Sequence, residues 1–189
     1  MSKNIFLITV KKDLLKYRRK SDLKSFIYAL IVNQGFKIVF IFRLCNLFYD
    51  CKIRILYIFL TLVRRLYSTR YSLWISPDAN IGGGLRISHC FSIIINSAEI
   101  GDNFTVLQQT TIGSNNGGNR SGCCKIGDNV FMGAGAKIIG NVNIESNVVI
   151  GANAVITKNI ISGVTVAGVP AKIINYKGEE YSQLWCANN

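Results

Sequence analysis

The chain has 189 residues, of which 49% are hydrophobic and 17% are charged, and this balance excludes a disordered chain and predicts an ordered core. The formal net charge is +12. Basic residues crowd two stretches near the N-terminus: Lys11, Lys12, Lys16, Arg18, Arg19 and Lys20, then Arg64, Arg65 and Arg70. Such an excess attracts polyanions, so nucleic acid, an anionic membrane surface and a phosphate-rich cofactor are open alternatives to a merely solvated basic face.

Residues 1–74 have the pattern of a helical domain. They contain no proline and only one glycine, Gly35, and their apolar residues recur at steps of three and four. The pattern predicts three or four helices, the first of them capped near Ser21 or Asp22 or just before. Polar side chains interrupt the run from Phe26 to Tyr49, and the apolar stretch from Ile53 to Val63 is too short to span a bilayer, so no membrane-spanning helix is predicted. The alternatives are an oligomer-forming domain and peripheral membrane contact through the basic helices.

A six-residue period begins after Ile75. It places aliphatic residues or methionine at Ile94, Ile100, Val106, Ile112, Ile126, Met132, Ile138, Ile144, Ile150 and Ile156. Upstream, and one residue out of phase, the same step gives Ile81, Ile87 and Ile93. Neither a helix nor a single strand repeats every six residues. A triangular coil does, because each side directs one aliphatic side chain toward the axis and a small residue turns the corner. Residues 75–174 are therefore predicted to form a hexapeptide-repeat solenoid.

The six-residue period is interrupted once, between Ile112 and Ile126, and it ends near residue 174. Residues 114–124 are polar and rich in glycine, and they add two residues to the lattice, so we expect a protruding loop there. The solenoid is expected to end near Val166–Ile174, and residues 175–189 are predicted to be a C-terminal tail.

Several segments of this region resemble hexapeptide acyltransferases: GGGLRISHCFSIIINSAEIG, MGAGAKIIGNVNI, GANAVITK and AGVPAKII. They are most similar to the serine acetyltransferase branch, which includes bacterial enzymes that O-acetylate the sugars of capsule, colanic acid and O-antigen. The match is close over about half of the chain and loose over the helices. It implies an all-β left-handed parallel β-helix with an α-helical N-terminal region, and acetyl-CoA as the co-substrate, with no metal.

His89 is the one histidine of the chain, and it occupies the place of the general base in the resembling family. This base takes the proton of the acceptor hydroxyl as the oxygen attacks the thioester carbonyl. Imidazole suits the task because its pKa lies near neutrality. The alternative is a surface histidine with no role.

The positions around the base depart from those of true serine acetyltransferases. Those enzymes have aspartates at the positions of Ser88 and Trp74, and an Arg-His pair where this chain has Gly122 and Cys123. Arg120 lies close enough to substitute for the missing arginine. The missing groups would hold the charges of an amino acid, and losing them leaves those charges unpaired. Ser88, Arg120 and Cys123 are therefore predicted to contact a neutral sugar hydroxyl, with L-serine as the alternative acceptor.

The resemblance also implies a cofactor groove between neighbouring coils. Its predicted members are Gly113, Ala134, Ala152, Lys158 and Lys172, the alanines against the pantetheine arm and the lysines near the phosphates. Corner packing is the alternative role of the alanines, and simple solvent exposure that of the lysines.

The cysteines suggest neither disulfides nor a metal site. No small-residue cleavage site follows the apolar run after Lys3, so we expect a cytoplasmic protein with reduced cysteines. Cys123 and Cys124 are adjacent, which does not suit an ordinary zinc site. A nucleophilic role for this pair is disfavoured, because no second histidine could activate it.

The sequence thus predicts an acetyl-CoA-dependent O-acetyltransferase acting on a bacterial surface polysaccharide or its precursor. Serine O-acetyltransferase of cysteine biosynthesis is the first alternative, and a non-catalytic β-helix scaffold is the second. The resemblance implies a homotrimer, or a higher assembly, with active sites between subunits. Peripheral contact with the inner face of the plasma membrane is compatible with the basic helices, and no nucleic-acid recognition motif is visible.

Overall fold

The computed structural model describes residues 3–113 and 123–186. Four helices come first: α1 (Lys3–Leu15), α2 (Leu23–Val32), α3 (Gln34–Asp50) and α4 (Arg54–Tyr71). The prediction that the first helix begins near Asp22 was wrong, because α1 precedes it. Asp22 instead caps α2, where its carboxylate accepts the backbone N–H of Ser25 at 2.8 Å.

Fifteen short strands follow: β1 (Trp74–Ile75), β2 (Asn80–Ile81), β3 (Arg86–Ile87), β4 (Ile94–Ile95), β5 (Ala98–Ile100), β6 (Thr105–Val106), β7 (Thr111–Gly113), β8 (Cys124–Ile126), β9 (Phe131–Met132), β10 (Lys137–Ile139), β11 (Asn143–Ile144), β12 (Val149–Ile150), β13 (Val155–Ile156), β14 (Thr165–Ala167) and β15 (Lys172–Asn175). They form three sheets with the orders β1-β4-β7-β10-β13, β2-β5-β8-β11 and β3-β6-β9-β12-β14-β15. The chain visits the three sheets in rotation, and all strand pairs are parallel except β14–β15. This is the coiled solenoid that the six-residue period predicts.

The predicted lattice residues form the axis of the solenoid, with one exception. Ile87, Met132, Ile138 and Ile150 are at most 1% exposed and belong to one continuous core. Ile94 was predicted to lie in this core, but it is 40% exposed and its neighbour Ile95 is buried in its place. The reason is that eight residues, rather than six, separate Ile87 from Ile95, because the intervening corner holds two extra residues.

Two segments outside the regular lattice also differ from expectation. Cys124, which was predicted to end the loop, begins β8 and is fully buried against the second sheet. The segment predicted to be a tail contains α5 (Gly178–Cys186), which packs on β9 and β12. The rings of Phe131 and Trp185 lie 5.2 Å apart at this contact.

The helices are joined to the first coil by a buried ion pair. Arg43 of α3 donates to the carboxylate of Asp13 of α1 at 2.9 and 3.2 Å, and also to the carbonyl oxygens of Ile81 and Gly82. Asp13 Oδ1 in turn accepts the backbone N–H groups of Gly84 and Leu85, both at 2.8 Å. Since these two residues lead directly into β3, the ion pair determines where the helices meet the strand that precedes His89.

Candidate active site

His89 lies in an exposed corner that the extra residues create after β3. The corner is held by backbone hydrogen bonds: Ser88 N–H to the Val106 carbonyl at 3.1 Å, and Ser92 N–H to the Tyr71 carbonyl at 3.0 Å. Ser92 has a left-handed backbone with φ of 54°, which closes the turn. Within the described residues the imidazole makes no hydrogen bond, so its ring is free to meet a substrate.

A cavity of about 430 Å³ opens beside the imidazole. This volume is in the range of small-molecule sites. The cavity is lined by Tyr17, Val32, Asn33, Gln34, Gly35, Arg86, Ile87, Ser88, His89, Cys90 and Phe91. The wall opposite β3 and the corner that follows it is therefore the junction between α2 and α3. We call this space the His89 cavity.

Tyr17 and Gly35 bring the helices against the strand at this cavity. The buried Tyr17 hydroxyl accepts the backbone N–H of Ile87 at 2.8 Å, and burial raises the pKa of this phenol well above its usual range. A side chain at Gly35 would collide with the Ile87 carbonyl oxygen, because a Cβ there would lie only 2.2 Å from it. Close approach of α3 to β3 therefore requires glycine at this position.

The described lining of the His89 cavity carries positive charge but no negative charge. It contains one guanidinium, that of Arg86, and no carboxylate. Asn33, Gln34 and Ser88 add neutral donors and acceptors. Such a lining can hold hydroxyl groups and an anionic group, and it offers no ionic partner to an ammonium group.

Small residues continue from His89 along one edge of the solenoid. The strand registers align Ile87 with Val106, Met132, Ile150 and Val166 in successive coils. The residues that follow these positions therefore stack in one row, which we call the His89 edge: Ser88–His89, Leu107–Gln108, Gly133–Ala134, Gly151–Ala152 and Ala167–Gly168. At about 4.8 Å per coil, Ala134 lies about 10 Å and Ala152 about 14 Å from His89 along the axis.

Beyond Gln108 the outer residues of the His89 edge are Ala134, Ala152 and Gly168, which carry little or no side chain. We call this strip of small residues the groove of the His89 edge. Gly133 is required by the stacking itself, because a Cβ there would lie 2.8 Å from the Ala152 nitrogen. A Cβ at Gly151 would make a tight contact, 3.1 Å from the Ala167 Cβ. Lys172 pairs with Ala167 in β15, at the far end of the groove. Its exposed ammonium is thus available to an anion there.

The other predicted site residues lie at a different edge. Gly113 ends β7, and Lys158 follows β13, both in the first sheet, whereas Cys123 precedes β8 of the second sheet. These three residues therefore share the edge between the first and second sheets. One side of the solenoid separates this edge from the His89 edge, and six extended residues span about 20 Å. Arg120 and residues 114–122 of the predicted loop lie outside the described residues. A single chain does not bring Gly113, Cys123 or Lys158 to His89.

The sequence did not indicate the contribution of several residues. Asn33, Gln34, Gly35 and Tyr17 reach the His89 cavity from helices far away in the chain, and only the isolated Gly35 carried a signal. Gln108 is the neighbour of His89 on its edge, and its buried side-chain oxygen has no partner among the described residues. Trp74, which stands where the resembling enzymes have an aspartate, is half exposed and lies under the guanidinium of Arg64 at 5.6 Å.

The described cysteines are all free thiols, and two of them are unsuited to nucleophilic chemistry. Cys90 follows His89 directly, but its side chain is buried, and burial raises its pKa to about 11. Burial, with a smaller effect of Cys123, raises the pKa of Cys124 to about 12. Both thiols are therefore protonated at neutral pH.

Comparison with known proteins agrees with this architecture. Residues 123–158 match the family model described as bacterial transferase hexapeptide (six repeats). A serine acetyltransferase of Buchnera aphidicola is 36% identical over 177 residues, covering 90% of this chain and 66% of the relative. A serine acetyltransferase of Staphylococcus epidermidis is 40% identical over 116 residues, covering 61% of this chain and 54% of the relative. The chain thus spans about half the length of the latter.

Solved structures give the same result over most of the chain. The crystal structure of Neisseria gonorrhoeae serine acetyltransferase superposes with a TM-score of 0.77 at 30% identity, covering 92% of this chain and 68% of that one. A serine acetyltransferase solved in complex with CoA superposes with a TM-score of 0.73 at 25% identity, covering 91% of this chain and 71% of that one. The similarity therefore includes the N-terminal helices as well as the solenoid.

Proposed function

Because the chain belongs to the serine acetyltransferase family of hexapeptide-repeat transferases, we propose that it transfers the acetyl group of acetyl-CoA to a hydroxyl group, with His89 as the general base. The observation that carries this proposal is the alignment of His89 with a groove of small residues on one edge of the solenoid. The left-handed winding of the coil, which the family implies, is part of the same proposal.

In this proposal His89 removes the proton from the acceptor hydroxyl as the oxygen attacks the thioester carbonyl. The imidazolium then returns the proton to the departing sulfur as the carbon–sulfur bond breaks, so free CoA and an acetyl ester are the products. In the same proposal the side-chain NH2 group of Gln108, the neighbour of His89 on its edge, donates to the developing oxyanion. The groove of the His89 edge suits the narrow pantetheine arm, and Lys172 suits a phosphate at its end.

Two acceptors are candidates, and the comparisons support L-serine better than a sugar. L-serine is supported by the relatives, which are serine acetyltransferases. A sugar hydroxyl, as in a surface polysaccharide or its precursor, is supported by the described lining of the His89 cavity, which has no carboxylate for an ammonium group. A charge-assisted hydrogen bond is worth about 1.5–3 kcal/mol, so its absence weakens serine binding by about ten-fold or more.

We also propose that the enzyme is a homotrimer. The support is the separation of the predicted site residues: His89, Ala134 and Ala152 lie on one edge, whereas Gly113, Cys123 and Lys158 lie on the next edge of the same chain. Three copies around one axis can place the second edge of one chain beside the His89 edge of its neighbour. Each site would then be completed by two chains.

The acceptor is tested by release of free thiol from acetyl-CoA, with L-serine compared against methyl glycosides and nucleotide sugars. A lining without carboxylates predicts the higher kcat/KM for a sugar. Ser88→Asp should raise kcat/KM for L-serine by about ten-fold, whereas the uncharged Ser88→Asn should not. Faster turnover of L-serine than of any sugar by the unmodified protein would eliminate the sugar candidate and establish serine acetyltransferase activity.

A further inference from the structure

The excess positive charge of this protein lies in its N-terminal helical part. Residues 1–74 contain 15 of the 22 lysines and arginines and three of the ten acidic residues, whereas residues 75–189 contain seven of each. The whole net charge of +12 therefore belongs to the helices. Neither the acceptor chemistry nor the groove of the His89 edge requires this segregation.

Helix α4 presents an unpartnered apolar face. It packs on α3 and buries Leu60 there, while five large apolar side chains point away from the protein. Their exposed fractions are 86% for Ile55, 58% for Ile58, 60% for Phe59, 57% for Leu62 and 69% for Leu66. At 3.6 residues per turn they share one face about 100° wide. We call this face the α4 stripe.

Arginines flank the α4 stripe on both sides. By the same helical geometry Arg54 and Arg65 lie along one edge of the stripe and Arg70 along the other. All three are exposed. The sequence from residue 51 to residue 77 contains five basic residues and no acidic one. Apolar side chains flanked by long cationic ones are the pattern of a helix that lies in the interface of a bilayer.

A cavity of about 670 Å³ opens at the first turn of α4, beside the stripe. It is lined by Phe48, Tyr49, Lys52, Arg54, Tyr57 and Ile58. The two tyrosine rings lie 5.4 Å apart, so their amphipathic side chains stand next to two cations. This combination suits the phosphate of a lipid headgroup together with the upper part of its acyl chains.

We propose that the protein docks on an anionic bilayer surface through the α4 stripe, with the surrounding arginines on lipid phosphates. Charge favours this occupant over a second copy of the chain, because two equally basic surfaces repel each other. The aliphatic character of the stripe favours lipid over nucleic acid, which binds through basic and stacking side chains. Within the described residues no single helix has the length and hydropathy to cross a bilayer, and α2 and α3 satisfy both only as a pair bent by 106°.

Cosedimentation with vesicles tests this surface. The full chain should bind vesicles that contain 30% phosphatidylglycerol and should bind pure phosphatidylcholine vesicles at least ten-fold more weakly. Leu62→Glu should reduce binding by at least ten-fold. Arg54→Gln and Arg65→Gln should each reduce it by about five-fold, and raised salt should weaken the binding.

Matched controls separate docking from misfolding and from self-association. Ile161 is similarly exposed on the solenoid, at 53%, so Ile161→Glu should bind vesicles as the unmodified chain does. Light scattering should give the same mass for Leu62→Glu as for the unmodified chain, three times 21.0 kDa. Equal binding to both vesicle types, or a Leu62→Glu variant that dissociates into smaller species, would overturn the proposal and assign the stripe to a protein contact. Neither result depends on the acceptor.

Discussion

At the scale of single residues, the motif that contains His89 is visible in the sequence, but the residues that surround His89 are not. The motif lies within one strand and one corner, so its spacing is visible in the sequence. The opposite wall of the His89 cavity comes from Asn33, Gln34 and Tyr17, which reach it only because α3 packs against β3. Contacts between distant segments leave no local pattern. Only Gly35, isolated in a helical stretch, pointed to a close approach of two backbones.

The cysteines give a prediction at this scale. Burial raises the pKa of Cys90 to about 11, so this thiol is protonated and shielded from reagents at pH 8. Iodoacetamide at pH 8 should label the exposed Cys51 in the native protein and leave Cys90 and Cys124 unlabelled. Peptide mass spectrometry measures the labelled fraction of each, and labelling in denaturant provides the reference. Rapid native labelling of Cys90 would show that a reactive thiolate stands beside His89.

At the scale of secondary-structure elements, the six-residue period predicted the solenoid because the physical cause of that period is local. Each side needs one inward aliphatic residue, and the corner between sides needs a small or left-handed residue. The same rule misplaced Ile94. A corner with extra residues shifts the positions of the inward-facing residues along the chain, but it does not change the types of residue in the sequence. The prediction of α2 as the first helix failed for another reason: α1 is amphiphilic only weakly, and its stability comes from packing on α3.

The buried ion pair between α1 and α3 predicts that a substitution of Asp13 lowers the free energy of unfolding. Asp13→Asn would leave the guanidinium of Arg43 buried without a counterion, which costs about 3–5 kcal/mol. Urea titration should show this loss in the free energy of unfolding. Asp102→Asn is the control, because the Lys12–Asp102 ion pair is exposed and worth at most about 1 kcal/mol. Similar losses for the two variants would contradict the assigned role of Asp13.

At the scale of the whole molecule, the chain has two parts that differ in net charge. Residues 75–189, which include the solenoid and the groove of the His89 edge, have no net charge, whereas residues 1–74 carry all of the excess positive charge. The two parts meet at β3, where the ion pair, Tyr17 and Gly35 hold the helices against the strand that precedes His89. A protein docked through α4, as proposed above, would therefore hold the corner that contains His89 at a defined distance from the membrane surface.

Substitution of His89 tests whether this residue is the base of an acetyl transfer from acetyl-CoA. Thiol release with the best acceptor should be measured for the unmodified protein and for His89→Gln. Because the side chain is exposed and makes no hydrogen bond within the described residues, the variant should unfold at the same temperature. We expect His89→Gln to lose activity by a factor of about 10²–10⁴, because a general base is removed. A folded His89→Gln variant that keeps more than about a tenth of the activity would contradict this role for His89.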